Sequence, residues 1–179
     1  MSSQINIKNR IPRTAVELFE ILPEGLLCEV IENVLYMTPA ADFFHQELSL
    51  ELSAAIFNEV KNADAGKCVA APVDVFLDGA NAYQPDILFI TRENLGIIKD
   101  GKIRGAPDMI IEILSPASVK YDKIIKRAVY ERNGVKEYFI IHPKTKEVIA
   151  YYLKNTKFEK QVSKNGKVKS GLLKKTFSF

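Results

Sequence analysis

The spacing of hydrophobic and polar residues predicts two helices and a hairpin in the N-terminal third of the chain. A capping-box pattern opened by Thr14 predicts a short helix over residues 15–22. Apolar residues on both sides of a polar pair predict a β-hairpin over residues 26–37. A helical period of apolar residues predicts a second helix over residues 42–61, with Asp42 as its cap.

Short apolar runs bounded by turn residues predict strands in the rest of the chain. These strands are expected over residues 68–77, 86–91, 109–114, 137–142 and 147–153. A further helix, capped by Asp122, is expected to run to Arg132. Asn165 followed by Gly166 is typical of a hairpin turn, here between Lys-rich antiparallel strands. The order of elements predicts an α/β fold with a mixed sheet.

Composition places the chain among ordinary globular proteins. Its 179 residues, 47% of them hydrophobic and 26% charged, fit a single domain over residues 1–179 with a substantial core. No stretch approaches the ~18 apolar residues that would span a membrane, and the N-terminus lacks a signal-peptide pattern, so we expect a cytoplasmic protein with no membrane partner. Cys28 and Cys68 are expected to be core thiols in a reducing compartment.

The net charge of +3 hides an uneven distribution. From Lys154 onward there are eight Lys and one Glu, a balance of +7, whereas the first 153 residues carry 17 basic and 21 acidic side chains, a balance of −4. A basic segment beside an acidic body suits a polyanion such as DNA. Lysines that protect an exposed strand edge from aggregation explain the same pattern, and the sequence leaves both readings open.

Two carboxylates stand in segments that otherwise resemble buried strands. Asp86 begins one predicted strand, and Glu112 lies within the next, with Ile on both sides. A buried ionised carboxylate is costly unless it is paired or binds a ligand. If the two strands pair, the carboxylates converge, and they repel unless a cation lies between them. Mg²⁺ binds a few carboxylates and keeps several waters, and metal-activated water cleaves phosphodiesters.

The helix after Glu112 offers a cation for such a site. Its expected apolar stripe consists of Ile124, Ile125, Ala128 and Val129. At ~100° per residue this stripe leaves Lys126 at its flank and turns Lys123 away from the sheet. A Lys near the carboxylates would stabilise charge that develops on a phosphate. A solvated helix face is the alternative for each lysine.

Beyond these single residues, ordered motifs from about residue 26 to 177 resemble a known family. They are residues 29–33, 45–46, 72–75, 84–86, 106–108, Glu-Ile-Leu-Ser-Pro at 112–116, residues 122–126, and Tyr-Glu-Arg-Asn-Gly-Val-Lys-Glu-Tyr at 130–138. The chain resembles the PD-(D/E)XK nuclease superfamily, and more closely a restriction-endonuclease branch that was long catalogued as a bacterial domain of unknown function.

The resemblance implies a restriction-endonuclease-like fold, in which a mixed central β-sheet is flanked by helices and by N-terminal and C-terminal antiparallel strands. It implies a Mg²⁺-dependent DNA endonuclease in which Mn²⁺ can substitute. Asp86 and Glu112 match the acids of the motif, as catalytic residues and metal ligands. Leu114 stands where the motif has its Lys, and the branch places that catalytic Lys at a position matching Lys126. Glu29 matches a recurrent Glu, as an extra metal ligand or as an edge-strand Glu.

Other readings remain open from the sequence. A binding module for nucleic acid or a protein partner, with weak or no catalysis, is the alternative to an active nuclease. His45 is either a polar residue at a helix start or a ligand, and Asp74 is a candidate outer partner of the site. Because α/β proteins of this size often form symmetric dimers, a homodimer is also expected.

Overall fold

Two six-stranded sheets, a two-stranded sheet and helices packed on them form the fold, in a computed structural model that describes residues 11–23, 25–116, 118–163 and 165–179. The helical segments are α1 (Ala15–Ile21), α2 (Phe43–Asn62), a 3₁₀-helix (Arg92–Ile97), a π-helical turn (Tyr121–Lys126) and α3 (Arg127–Asn133). The strands are β1 (Cys28–Ile31), β2 (Val34–Met37), β3 (Gly66–Ala70), β4 (Val75–Asp78), β5 (Asn81–Tyr83), β6 (Ile87–Thr91), β7 (Ile98–Lys99), β8 (Lys102–Arg104), β9 (Met109–Ile113), β10 (Glu137–Ile141), β11 (Val148–Lys154), β12 (Lys157–Ser163), β13 (Lys167–Ser170) and β14 (Lys175–Ser178).

The central sheet has the strand order β12-β11-β10-β9-β6-β3. β9 and β10 run parallel, and the other neighbouring strands run antiparallel, which confirms the predicted mixed sheet. Parallel neighbours need a long crossover connection. Here the π-helical turn and α3 lie in that crossover, so the chain between β9 and β10 is carried over one face of the sheet.

Each face of the central sheet is covered by a different layer. On one face Leu52 and Ile56 of α2 pack against Phe89 and Ile111. On the other face Tyr130 and its neighbours on α3 belong to a second core cluster that includes Leu88, Ile110, Tyr138 and Ile140. Strands covered on both faces read as continuous apolar runs, as β6 and β9 do. The alternation of faces puts Glu112, which lies between Ile111 and Ile113, on the α3 side.

The N-terminal sheet has the order β2-β1-β5-β4-β8-β7, and it contains the predicted hairpin as β1 and β2. β1 is therefore an interior strand, paired on its other side with β5. Phe19 of α1 covers this sheet, in a cluster with Val30 and Phe76. Thr14 caps α1 as predicted, since its hydroxyl accepts a hydrogen bond from Glu17 N at 3.1 Å. The interior position of β1 fixes the place of Glu29.

The start of α2 and the end of α3 lie where the sequence predicts them, at a capping side chain and at a glycine. The Asp42 carboxylate accepts a hydrogen bond from His45 N at 2.9 Å and caps α2. α3 ends at Gly134, whose φ of 84° lies in the left-handed region that glycine occupies without strain. The two helices matter for the site, because α2 carries His45 in its first turn and α3 follows directly on Lys126.

The single strand predicted over residues 68–77 is wrong. Cys68 lies in β3 of the central sheet, and Val75 lies in β4 of the N-terminal sheet. Pro72 stands between them, and a proline has no backbone N–H to donate to a ladder. The apolar composition continues through this segment although only β4 is buried and β3 is exposed at most of its positions. Hydrophobicity alone therefore did not reveal that the chain crosses from one sheet to the other.

The hairpin predicted at Asn165–Gly166 is also wrong. The strand before it, β12, pairs with β11, and the strand after it, β13, pairs with β14 in a separate two-stranded sheet. Val168 and Phe177 from these two strands are buried in the core cluster on the α2 side. Burial of those two side chains decides where the last strands lie, and a two-residue turn pattern carries no information about it.

Several short elements have no clear signal in the sequence. The prediction omitted β5, β7, β8 and the 3₁₀-helix, and it assigned only a turn at residues 99–102, where β7 and β8 meet. Strands of two or three residues are too short to show a hydrophobic period. No helix among the described residues is long and apolar enough to cross a membrane.

Candidate active site

Asp86 directly precedes β6, at the end where β6 pairs with β9, so the pairing on which the convergence of the two acids depended is present. The two strands are antiparallel with Ile87 opposite Ile111, so the next position places Asp86 beside Glu112 on the same face. Asp86 Oδ2 accepts a hydrogen bond from the backbone N–H of Ile113 at 2.7 Å. The two acids of the predicted pair are therefore brought together by strand register.

Glu112 is buried and accepts two hydrogen bonds at one oxygen. Lys126 Nζ donates to Oε1 at 3.1 Å, and the Tyr130 hydroxyl donates to the same atom at 2.8 Å. Burial raises the pKa of Glu112 well above its ordinary value, and Asp122 and Asp86 raise it further, while Lys126 opposes them. Glu112 thus lies in a region with more negative than positive charge.

Lys126 is the cation of the site and is only 5% exposed. Its Nζ donates to Glu29 Oε1 at 2.9 Å and lies 3.4 Å from Asp122 Oδ1. It also lies 5.4 Å from the centre of the Tyr83 ring. Burial by itself would lower the pKa of Lys126, but the carboxylates of Glu112, Glu29 and Asp122 raise it well above its ordinary value. The ammonium group is therefore charged at any physiological pH.

Glu29 connects the N-terminal sheet to this site. It is buried on β1, and its Oε1 accepts hydrogen bonds from both Lys126 Nζ and the backbone N–H of Gln84, the latter at 3.0 Å. The reading of Glu29 as an edge-strand residue is wrong, because β1 lies between β2 and β5. Asp74 is a further partner, since its Oδ1 accepts from the Gln84 side chain at 2.9 Å.

Asp122 belongs to the site although the sequence assigned it to a helix cap. Helical backbone already begins before it, and Asp122 N donates to Ser118 O at 2.9 Å. Its side chain is buried, and no described residue makes a hydrogen bond to Oδ1. Burial raises the pKa of Asp122, and Lys126 and Ser118, which lower it, offset this only in part. The spacing of Asp122 and Lys126, four residues apart in one helical segment, was the signal that could have identified it.

The predicted apolar stripe of this helical segment is partly wrong. Ile124 is 58% exposed, whereas Asp122, Lys126, Val129 and Tyr130 are buried. The inward face therefore carries two charged residues, Asp122 and Lys126. The prediction looked for apolar residues at helical spacing, so it selected a neighbouring face of the helix. Lys126 is deeper than predicted, and Lys123 is half-buried, so it does not point fully away. A π-helical turn at this point is typical of functional sites.

His45 approaches the same carboxylate from the α2 side. Its Nε2 lies 3.3 Å from Asp86 Oδ2 and 3.0 Å from Ile113 O. Because both neighbours are acceptors, Nε2 carries the proton. Burial lowers the pKa of His45, but Asp86, the Ile113 carbonyl and Asp42 together raise it more, and the net pKa lies above the ordinary value. His45 thus lies in the first turn of α2, as predicted, but it is buried and contacts Asp86.

The donor atoms fit a hard divalent cation in kind, although no set of ligands is fully assembled. Among the described residues, no group of three or more His, Cys, Asp or Glu side chains is arranged to hold a metal. The described hydrogen bonds engage Oε1 of Glu112 and Oδ2 of Asp86, so the second oxygen of each is the one that remains for a cation. Three carboxylates, those of Glu29, Glu112 and Asp122, lie around one ammonium group. Asp86 adds further negative charge beside Glu112, so the site favours added positive charge.

The basic C-terminal segment is spread over two ends of the molecule. Lys154 and Lys157 face each other beyond the end of the sheet where β9 begins, whereas Glu112 lies near the end of β9. Lys157 pairs with Glu131 at 3.2 Å, and β12 is an edge strand. Lys164 lies outside the described residues. For Lys154 and Lys157, protection of a strand edge therefore explains the structure well.

Comparisons with known proteins agree with the fold described above. The chain is similar in structure to a crystal structure described as "a putative nuclease" from Anabaena variabilis, with a TM-score of 0.72 and 22% identity over 89% of this chain and 88% of that chain. At this identity the likeness concerns the fold, and it confirms the expected nuclease-like α/β architecture. A comparison with curated proteins finds no match. The model of the Uma2 family, described as "Putative restriction endonuclease", matches residues 16–174, so the chain belongs to that family.

Proposed function

We propose that the protein is a Mg²⁺-dependent endonuclease that hydrolyses DNA phosphodiester bonds, with Mn²⁺ able to substitute. The contact between Lys126 and Glu112, buried beside Asp86, carries the proposal. A buried lysine among carboxylates in a nuclease-like fold is the arrangement that phosphoryl chemistry uses to neutralise charge. The description of the family and that of the Anabaena protein as a nuclease support the same activity.

Asp86 and Glu112 are the residues that would hold the metal, with Glu29 in a supporting role. Bound Mg²⁺ would neutralise phosphate charge and lower the pKa of the attacking water. His45 holds Asp86 from the opposite side through Nε2, and Ile113 N holds it through the strand. These contacts fix the carboxylate before substrate arrives, so little reorganisation is needed during the reaction.

Lys126 is proposed to stabilise the charge that develops on the scissile phosphate. Its ammonium group is held by Glu29 and Glu112, and its raised pKa keeps it protonated. The lysine reaches the site from the crossover helix, which compensates for Leu114 at the usual position of the lysine. Glu29 is thus a positioning residue for Lys126, and the N-terminal sheet becomes a part of the catalytic unit.

DNA would approach over the end of the sheet where β9 finishes. Lys146 and Lys167 are exposed near this end, since Lys146 O accepts from Gly166 N and the preceding Ile141 lies opposite Ile113. No described carboxylate forms an ion pair with either lysine. Because Lys154, Lys157 and Lys175 each pair with a glutamate, they have less free charge to offer a phosphate.

The alternative is a nucleic-acid-binding or partner-binding module on the same fold with weak or no catalysis. The specific observation in its favour is that both carboxylates nearest Lys126 already hold its ammonium group, and no three-ligand group is arranged for a metal among the described residues. A lysine in this position would then serve only to neutralise a buried pair of glutamates.

A nicking assay on supercoiled plasmid separates the two functions. The parent protein with Mg²⁺ or Mn²⁺ is expected to produce nicked circles, and Asp86→Ala is expected to abolish them. Glu93→Gln, which removes a carboxylate at an exposed position, is the control. Plasmid binding that persists in all three proteins without any nicking would establish the binding module. Nicking that survives Asp86→Ala would exclude the proposed site.

A further inference from the structure

Helix α2 carries apolar residues on two opposite faces. Leu52 and Ile56 on the inner face are buried against the central sheet. On the outer face Phe43 is 72% exposed, Leu50 is 71% exposed and Phe57 is 49% exposed. A helix on the surface of a monomer normally presents one apolar face and one polar face. Large exposed side chains in a row along one helix indicate a surface that binds another protein.

The outer face has the spacing of a helix-pairing seam. Six residues follow one another at intervals of alternately four and three, and they are Phe43, Glu47, Leu50, Ala54, Phe57 and Lys61. All six are exposed. This spacing keeps residues on one line of the helix, as in the seam of a coiled coil. We call these six residues the outer stripe. Its small residue, Ala54, lies between the two largest central side chains, which allows close approach of another helix.

The charges of the outer stripe indicate which helix would pack there. The N-terminal half of the stripe carries Glu47, and the last turn carries Lys61. Neither forms an ion pair within the described part of the chain. A second copy of α2 running antiparallel brings Glu47 of each copy toward Lys61 of the other. A parallel copy would bring like charges together, which is unfavourable.

From this complementarity we propose that two copies of the protein associate through their outer stripes, with the two α2 helices antiparallel about a two-fold axis. Leu50 of each copy then packs against Ala54 of the other, and Phe57 packs near the aliphatic part of the opposite Glu47. The contact is self-complementary, as a two-fold dimer requires. It concerns the surface opposite to His45 and the core side of α2, so it goes beyond the proposed nuclease function.

The strength of the association can be bounded from the size of the contact. Six residues from each copy make a smaller contact than the 20–30 residues per side of a typical stable complex. We therefore expect a dissociation constant on the order of micromolar rather than an obligate dimer. Sedimentation equilibrium of the full chain from about 1 to 200 µM covers this range. A protein that remains monomeric at the highest concentration overturns the proposal.

Two substitutions locate the contact. Leu50→Glu places a charge in the centre of the outer stripe, and it should weaken the dimer at least about tenfold. Val162→Glu makes the same chemical change at an exposed position of the edge strand β12, and it should leave the dimer unchanged. Thermal unfolding followed by circular dichroism checks that both variants are folded. Dissociation by Val162→Glu but not by Leu50→Glu would assign the dimer to the sheet edge and overturn the proposal.

Charge reversal tests the antiparallel arrangement. Glu47→Lys and Lys61→Glu each create two repulsions in their own homodimer, so each variant alone should dimerise more weakly than the parent. An equimolar mixture restores both attractions and should form heterodimers, as should the double variant with itself. Salt should weaken these differences. A dimer in which both single variants associate as tightly as the parent would contradict antiparallel pairing of α2.

Discussion

Lys126 Nζ lies 2.9 Å from Glu29 Oε1, across 97 positions of the chain. This contact joins the crossover helix of the central sheet to an interior strand of the N-terminal sheet. Both side chains are buried, so neither can exchange the contact for water without a change in the fold. The relationship makes Lys126 at once a structural cation and the candidate catalytic cation, and the two roles can be tested separately.

Substitution of Lys126 should abolish nicking and reduce stability. For Lys126→Met we expect a loss of activity of roughly 10²–10³-fold or more, as for loss of one charge-stabilising donor. Because Glu29 and Glu112 would lose their cation, we also expect destabilisation of about 3–5 kcal/mol at neutral pH. Urea unfolding and plasmid nicking measure the two effects.

Two further variants separate these roles of Lys126. Lys126→Arg keeps the positive charge but changes the shape of the side chain. It should therefore retain a larger fraction of the parental stability than of the parental activity. Lys123→Met is the matched control, and it should change neither property much, since Lys123 is half-buried without a described ion pair. Nicking by Lys126→Met at the parental rate, or an equal loss in Lys123→Met, contradicts the assignment.

Metal binding should depend on Asp86 and Glu112 more than on Glu29. In titration calorimetry with Mg²⁺ or Mn²⁺, Asp86→Asn and Glu112→Gln are expected to weaken binding strongly. Glu29→Gln is expected to weaken it less, because Glu29 Oε1 is already engaged by Lys126 and by Gln84 N. Unchanged affinity in both Asp86→Asn and Glu112→Gln would refute the metal site, and Glu93→Gln serves as the control.

His45 should act through Asp86. His45→Ala removes the contact between Nε2 and Asp86 Oδ2 without removing a proposed ligand. We expect weaker metal binding and slower nicking, each by a smaller factor than in Asp86→Asn. Gln46→Ala changes the exposed neighbour and should have no effect. If His45 had only a structural role, His45→Ala would lower the unfolding midpoint but leave the metal affinity unchanged, and that result would contradict the prediction.

Stability should fall in acid through Asp108, which lies at the other end of β9 from the site. Burial alone would raise the pKa of Asp108, but Lys136, the backbone N–H of Thr91 and Asn94 lower it below its ordinary value. Because the pKa of Asp108 is lower in the folded than in the unfolded protein, its ionised carboxylate stabilises the fold at pH values above the ordinary pKa of about 3.9. This stabilisation is lost as the pH falls through the lower pKa of the folded state. The difference in unfolding free energy between parent and Asp108→Asn should therefore be largest near neutral pH and shrink in acid. A difference that is independent of pH between 2 and 7 would be inconsistent with this.

Lysines near the site should contribute to DNA binding more than those at the far end. Replacing Lys146 and Lys167 with Gln should reduce the slope of log K against log salt by up to about 0.9 for each phosphate that is no longer neutralised. The same change at Lys154 and Lys157, which pair with Glu159 and Glu131, is charge-matched and should reduce the slope less. Replacing Lys174 and Lys175 tests the C-terminal end of the basic segment. Equal slopes in all variants would mean that the lysines only protect strand edges.

Much of the site could be predicted from local pattern because strand and helix periods place neighbours on one face. The carboxylates Asp86 and Glu112 interrupt apolar strands, and the antiparallel register of those strands does bring them together. The resemblance to a known family selected Lys126, and helix geometry agreed. The N-caps Thr14 and Asp42 are local features too, so the sequence identified them correctly.

Long-range packing decided the rest. Asp122 faces the carboxylates because the buried face of its helical segment is charged, and an apolar period cannot reveal such a face. Residues 68–77 divide between two sheets, and β13 pairs with β14 rather than β12, because burial of distant side chains outweighs local turn preference. The sequence by itself determined the fold class, the inner strands β6, β9, β10 and β11 of the central sheet, and the residues able to do chemistry. Only the tertiary structure decided which charges share one buried site, because the cost of burying a charge depends on partners that lie far away in the chain.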